Sequence, residues 1–117
     1  MTRIPEEDRD VIESAIYLPM LLTILEKDRV IFEQIPIKIR EPYLNLIEET
    51  IKAVQKDLKI VKDKMHVGNM KVWEVARDEA FTSYAFLYKG YEEQHNYFNP
   101  AIRNRVSALM ERYLNNH

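Results

Sequence analysis

The segment KVWEVARDEAFTSYAFLYKGYEEQHNY, residues 71–97, holds most of the aromatic side chains of this 117-residue chain. At about 100° per residue, one face of a helix over this segment is apolar or aromatic, at Trp73, Ala76, Ala80, Tyr84, Leu87 and Tyr91. The spacing therefore predicts a long helix. Its start is ambiguous, because Met70, Val72 and Val75 also fit an extended backbone. The chain has only two glycines, so tight turns are scarce, which argues against an all-β fold.

Helical spacing also dominates on both sides of this segment. Residues 41–65 carry an apolar stripe at steps of three and four, namely Leu44, Ile47, Ile51, Val54, Leu58, Val61 and Met65. A first helix over about 5–34 contains Pro19, which removes one backbone hydrogen bond and should kink or split the helix. Asn99–Pro100 is a typical start for a shorter fourth helix. Residues 35–42, with two prolines, predict an extended connector.

These elements predict a single helical domain over residues 1–117. Four helices joined by short loops favour an all-α fold, an antiparallel four-helix bundle whose first helix is kinked at Pro19. The chain is 46% hydrophobic and 31% charged, which is ordinary for a globular protein and argues against disorder.

The composition excludes several kinds of functional site. Without cysteine, the chain has no disulfide, thiolate zinc site or iron–sulfur cluster. Two glycines cannot form a glycine-rich phosphate loop. The formal net charge is −2, which is not the signature of a nucleic-acid-binding protein. The serines lack the spacing of a nucleophile motif, so we expect neither an enzyme nor a bound cofactor.

The sequence also predicts a soluble, cytoplasmic location. Residues 1–8 are acidic, whereas a secretory signal begins with a basic leader. The longest nearly apolar run, residues 15–25, is shorter than the ~20 residues needed to span a bilayer. The absence of cysteine fits a reducing compartment.

The first helix has more apolar surface than a bundle helix usually carries. Residues 15–25 are apolar on all sides of the helix rather than along one stripe. Either the connector and the proline kink bury this excess within one chain, or a second copy or a partner protein covers it. We favour the second interpretation, a homodimer or a protein partner that docks on Leu18, Leu21 and Leu25. Phe86 falls on the polar side of the predicted third helix and is a further candidate contact.

A metal or small-ligand site is the alternative function. Glu92 and His95 have the i, i+3 spacing that places two ligands on one side of a helix, as in carboxylate-bridged di-iron bundles. The other helices lack the inward carboxylates such a site requires, so no metal is expected. Arg77 lies near the apolar face of the same predicted helix. There it either anchors a ligand carboxylate or phosphate or pairs with a neighbouring acid.

Lysines are concentrated on the second predicted helix, at Lys52, Lys56, Lys59, Lys62 and Lys64. The ordinary interpretation is a solvated helix face. A nucleic-acid site would need more arginine and exposed aromatic side chains on the same face. Nucleic acid and membrane are therefore not expected partners.

Two short segments resemble a known group of proteins. IREPYL at 39–44 and RDEAFTSYAFLYKGY at 77–91 are similar to segments of short, uncharacterised all-helical proteins from spore-forming Gram-positive bacteria. They cover under a fifth of the chain, and the resemblance implies a bacterial cytoplasmic setting but no activity. Together, the observations predict a non-enzymatic interaction or accessory protein that self-associates through its first helix.

Overall fold

Three helices and a three-stranded antiparallel sheet make up the fold. The computed structural model describes residues 3–115. The elements are, in chain order, α1 (Glu6–Gln34), α2 (Glu41–Val67), β1 (Met70–Arg77), β2 (Phe81–Tyr88), β3 (Tyr91–Phe98) and α3 (Asn99–Leu114). The strands lie in the order β1-β2-β3. This is an α+β architecture in which the helices cover one face of the sheet.

The predicted all-α four-helix bundle is therefore wrong, because residues 71–97 form strands and not a helix. In β2 the side chains of Thr82, Tyr84, Phe86 and Tyr88 alternate with their neighbours and are all buried. This two-residue period is that of a strand with one buried face. The aromatic residues that give a helix its bulk also favour strands. Apolar residues are so frequent in this segment that they also matched the helical period by chance.

Two tight turns make the three strands possible. Lys89 and Gly90 connect β2 to β3 with positive φ angles of 48° and 87°, as a two-residue hairpin turn requires. Between β1 and β2, the carboxylate of Asp78 accepts hydrogen bonds from the backbone N–H groups of Ala80 and Phe81 at 2.8 and 2.7 Å. These backbone hydrogen bonds lower the pKa of Asp78. The scarcity of glycine was thus a poor argument against a sheet.

The side of the sheet that faces the helices is here called the inner face. It carries most of the sheet residues that belong to the hydrophobic core. Phe86 is fully buried and stacks on the imidazole of His95, with ring centroids 4.3 Å apart. Two tyrosines at the edge of this layer donate hydrogen bonds to carboxylates of α1. The hydroxyl of Tyr97 donates to Glu13 at 2.8 Å, and that of Tyr88 donates to Asp8. These contacts dock α1 onto the sheet.

The two long helices form an antiparallel hairpin joined by residues 35–40. The predicted stripe of α2 is confirmed, since Ile47, Ile51, Val54, Leu58 and Met65 are buried. The first helix is not split at Pro19, because α1 is one continuous helix over Glu6–Gln34. The hydroxyl of Thr23 donates to the carbonyl of Pro19 at 3.0 Å.

The last helix ties the sheet to the helical hairpin. It begins at Asn99, with Pro100 in its first turn, close to the predicted start. The side chain of Asn99 does not cap the helix. It accepts a hydrogen bond from the Thr82 hydroxyl at 2.7 Å and donates to the carbonyls of Asp78 and Glu79. At the other end of α3, the hydroxyl of Tyr113 donates to Asp57 of α2 at 2.5 Å.

No helix within residues 3–115 is long and apolar enough to cross a bilayer.

The buried and exposed apolar positions of α1 give a matched stability prediction. Leu21→Ala should lower the free energy of unfolding by roughly 2–5 kcal/mol, since Leu21 is fully buried and its truncation leaves a cavity. Ile31→Ala, at an exposed position of the same helix, should change it by less than ~1 kcal/mol. Urea denaturation followed by circular dichroism measures both. Similar effects at the two positions would contradict the buried position of Leu21 and the exposed position of Ile31.

The tyrosine–carboxylate contacts predict a loss of stability at alkaline pH. Burial and the hydrogen bond to Glu13 raise the pKa of Tyr97 above the ordinary 10.0. Because the folded chain holds this proton more tightly, the contribution is complete below pH 10 and is lost as pH rises above it. At pH 8, Tyr97→Phe should cost about 1–3 kcal/mol, as expected for a hydrogen bond to a carboxylate.

The difference between wild type and Tyr97→Phe should shrink above pH 10, as measured by urea denaturation between pH 8 and pH 11. Tyr43→Phe, at an exposed position, is the control for general alkaline denaturation. A difference that stayed constant over this range would rule out the proposed role of the Tyr97 proton.

Candidate functional site

A cleft of about 610 Å³ lies between α1, α3 and the end of the sheet. Its long walls are apolar because both helices present aliphatic and thioether side chains at helical spacing. The α1 wall contains Met20 and Ile24, and the α3 wall contains Ile102, Val106 and Met110. The size falls within the range of ~300–1,000 Å³ typical of small-molecule sites.

Arg77, the last residue of β1, lines the end of the cleft nearest the sheet because β1 contains a bulge. The strand register shifts between Glu74 and Ala76, so that Ala76 pairs with Ser83 and Arg77 pairs with Thr82. Thr82 lies on the inner face, and Arg77 therefore lies on that face as well. If β1 paired regularly from Glu74 to Arg77, with Val75 included in the pairing, strand alternation would place Arg77 on the opposite face of the sheet.

A second guanidinium group belongs to the same end of the cleft. Arg103 lies one turn into α3, next to Ile102, and it also lines the cleft. Arg77 Nη2 lies 2.6 Å from Glu74 Oε1, whereas Arg103 has no ion-pair partner among the residues that the structure describes. The three side chains give this end of the cleft a formal charge of +1. A guanidinium group can form two parallel hydrogen bonds to a carboxylate or phosphate.

The other polar side chains at this end are held by each other. Thr82 is buried, and its hydroxyl donates to Asn99, whose amide donates in turn to the turn carbonyls. These hydrogen bonds fix the start of α3 relative to the sheet. They therefore set the position of Arg103 relative to Arg77.

The four residues predicted to contact a partner lie in the core of the single chain. Leu18, Leu21, Leu25 and Phe86 are each 5% exposed or less. The docking surface predicted at these positions is therefore not exposed in this structure. The excess apolar surface of α1 is real but lies elsewhere. Ile24 is 40% exposed at the cleft, and Val30 and Ile31, nearer the connector, are 51% and 53% exposed.

The structure separates the residues of the predicted metal or ligand site. Residues three apart on a strand point to opposite faces, so Glu92 lies on the outer face of β3 and His95 on the inner face. His95 instead lies 3.0 Å from Glu93 and stacks on Phe86. Within residues 3–115, no group of three or more histidines and carboxylates is arranged to hold a metal ion. Of Glu92, His95 and Arg77, only Arg77 lines the cleft.

The lysines of α2 are all exposed, and Lys52 lies 3.9 Å from Glu49. None of them lines the cleft.

The sequence did not indicate several residues of this site. Arg103 and Met110 lie on the last helix, but nothing in their spacing identified them as cleft residues. Met20 and Ile24 were part of the apolar excess of the first helix, and this was the only signal for an unusual surface there. The bulge that turns Arg77 inward leaves no mark in the periodicity.

Comparison with known proteins shows one clear relationship. No solved structure matches this chain. The uncharacterized protein YhjD of Bacillus subtilis (strain 168) is 45% identical over 114 residues, which are 97% of this chain and 95% of that protein. This agrees with the Gram-positive resemblance seen in the sequence, although the all-helical part of that expectation is wrong. The family model described as YhjD protein matches residues 3–117. The chain therefore belongs to the YhjD protein family.

Proposed function

We propose that the protein is a non-enzymatic binding protein whose cleft between α1 and α3 holds a small amphipathic carboxylate. The observation that carries the proposal is the placement of Arg77 and Arg103 in the lining of a cleft whose long walls are mostly apolar. Apolar walls with a few converging polar groups are typical of small-molecule sites. The apolar walls would bury the aliphatic tail of such a ligand, and the two arginines would bind its carboxylate.

The charge of the site favours a carboxylate over a doubly charged phosphate. Glu74 already neutralises part of the charge of Arg77, at an Nη2–Oε1 distance of 2.6 Å. A guanidinium group has five N–H donors, so Arg77 keeps donors for a ligand while it pairs with Glu74. The formal charge of +1 matches a monoanion. A dianion would bring a second negative charge close to Glu74.

The interaction role predicted from the first helix stays a prediction. The observation in its favour is the exposed apolar surface around the connector, formed by Val30, Ile31, Ile39, Tyr43 and Leu46. A protein partner that docks there would give the chain an accessory role. The cytoplasmic location, and the likeness to proteins of spore-forming bacteria in particular, also stay predictions from the sequence.

Isothermal titration calorimetry with decanoate, kept below its micelle concentration, tests the binding proposal. Wild type should bind decanoate and should bind decyltrimethylammonium, which has the same tail and the opposite charge, much more weakly. Arg77→Gln and Arg103→Gln should each weaken decanoate binding about tenfold, because each removes a charge-assisted hydrogen bond. Ser107→Trp, on the α3 wall, should block the cleft and abolish binding.

Arg112→Gln is the matched control, since Arg112 lies on α3 and does not line the cleft. It should leave the dissociation constant unchanged. Two results would contradict the proposal: no heat of binding up to millimolar decanoate, or equal affinity in wild type and in the Arg77→Gln, Arg103→Gln double variant. Thermal denaturation of each variant checks that a loss of binding does not reflect unfolding.

A further inference from the structure

Within residues 3–115, no helix covers the side of the sheet that faces away from the helices, here called the outer face. We propose that the outer faces of two copies of this chain pack against each other in a two-fold dimer. The cleft lies on the helix side of the sheet and stays accessible in such a dimer. The inference is therefore independent of the proposed carboxylate site.

The outer face carries more aromatic surface than a solvated sheet face needs. Trp73, Phe81 and Phe98 point to it and are 41%, 45% and 49% exposed. The rings of Phe81 and Phe98 lie 5.4 Å apart, and they form one continuous aromatic area. An antiparallel sheet often leaves one face in water, but the side chains on that face are then mostly polar.

The register of the sheet arranges charges on the outer face in a self-complementary way. Lys71 of β1 pairs with Leu87 of β2, and Leu87 pairs with Glu92 of β3. The three side chains form a row across the sheet with a cation at one edge and an anion at the other. Lys71 and Glu92 are exposed and separated by the whole width of β2.

A two-fold axis that runs parallel to β2, midway between two outer faces, would bring these opposite charges together. The rotation places β1 of one copy over β3 of the other and keeps each row at the same height along the strands. Lys71 then faces the partner's Glu92, and Glu92 faces the partner's Lys71. Leu87, which is half-buried, faces its own copy near the centre, whereas Ala85 beside it is already covered within the chain. Packed sheets lie about 10 Å apart and ~30° from aligned, which long charged side chains can span.

The other in-plane axis, perpendicular to the strands, lacks this complementarity. It would place the row containing Lys71 opposite the row at the far end, where Phe81 pairs with Phe98. Because each strand would then lie over its own copy, Glu92 would face Phe98 of the partner subunit without a cation beside it, which is unfavourable. The charge pattern therefore selects one symmetric arrangement, and an isologous interface requires such a pattern.

The size of the outer face determines the strength of the dimer. Three strands ~4.8 Å apart and eight residues long at ~3.4 Å each give a flat area of roughly 14 by 27 Å. This is smaller than the ~800 Å² that each partner buries in a standard interface. We therefore expect a weak dimer that forms with rising protein concentration in the micromolar range.

Charge exchange tests the dimer directly. In sedimentation equilibrium between about 1 and 500 µM, wild type should show a monomer–dimer equilibrium. Lys71→Glu and Glu92→Lys should each weaken the dimer at least about tenfold, because each replaces two attractive pairs by two repulsive ones. The double variant Lys71→Glu, Glu92→Lys should restore it. Lys62→Glu, on an exposed position of α2, is the control and should leave the equilibrium unchanged.

Trp73 provides a second readout, because it is the only tryptophan of the chain and lies on the outer face. Its fluorescence emission should shift to shorter wavelength as the dimer forms, in wild type and in the double variant. Three results would overturn the proposal. These are a monomer at every concentration, a double variant that associates no better than the single variants, or self-association without a change at Trp73. The last result would assign the contact to another surface, such as the exposed apolar residues near the connector.

Discussion

Tyrosine hydroxyls that donate to helix carboxylates connect the sheet and the three helices. Tyr88 and Tyr97 of the sheet donate to Asp8 and Glu13 of α1, and Tyr113 of α3 donates to Asp57 of α2. In each case the ring lies in or beside the apolar layer while the hydroxyl reaches an acid at its edge. Phe86 is fully buried, and its ring stacks on those of His95 and Tyr97. The layer is held by apolar burial, while the hydrogen bonds hold α1 against the sheet and α3 against α2.

The helix α2 could be predicted because its sequence satisfies only one periodicity. The stripe of α2 repeats at steps of three and four and includes no alternating run, and its predicted bounds agree with Glu41–Val67. The segment from Lys71 to Tyr97 satisfies both periods. Its alternation through Thr82, Tyr84, Phe86 and Tyr88 competes with a helical pattern built partly from alanines. The fold class could therefore not be determined from spacing alone.

The candidate site could be predicted only in part for a similar reason. The sequence indicated Arg77 as a possible anchor because it placed this residue on a predicted third helix. That helix does not form, but the bulge in β1 still directs Arg77 to the cleft. Arg103 and the apolar walls depend on how α3 crosses α1, which is a tertiary contact. The prediction for Leu18, Leu21 and Leu25 weighed helical neighbours and the connector as cover, but no sheet. In the structure these residues belong to one core cluster with Tyr84, Phe86 and Tyr88 of β2.

The bulge also determines which changes of chain length β1 can absorb. Deletion of Val75 would leave Glu74 paired with Tyr84 and Ala76 paired with Ser83, so that β1 would become a regular strand and Arg77 would stay opposite Thr82 on the inner face. If Val75 were instead drawn into the pairing, every later residue of β1 would shift by one position, and the guanidinium of Arg77 would lie on the outer face. A different side chain would then close the cleft. Insertions in the connector at residues 35–40 have no such effect on the sheet, because that loop lies between α1 and α2.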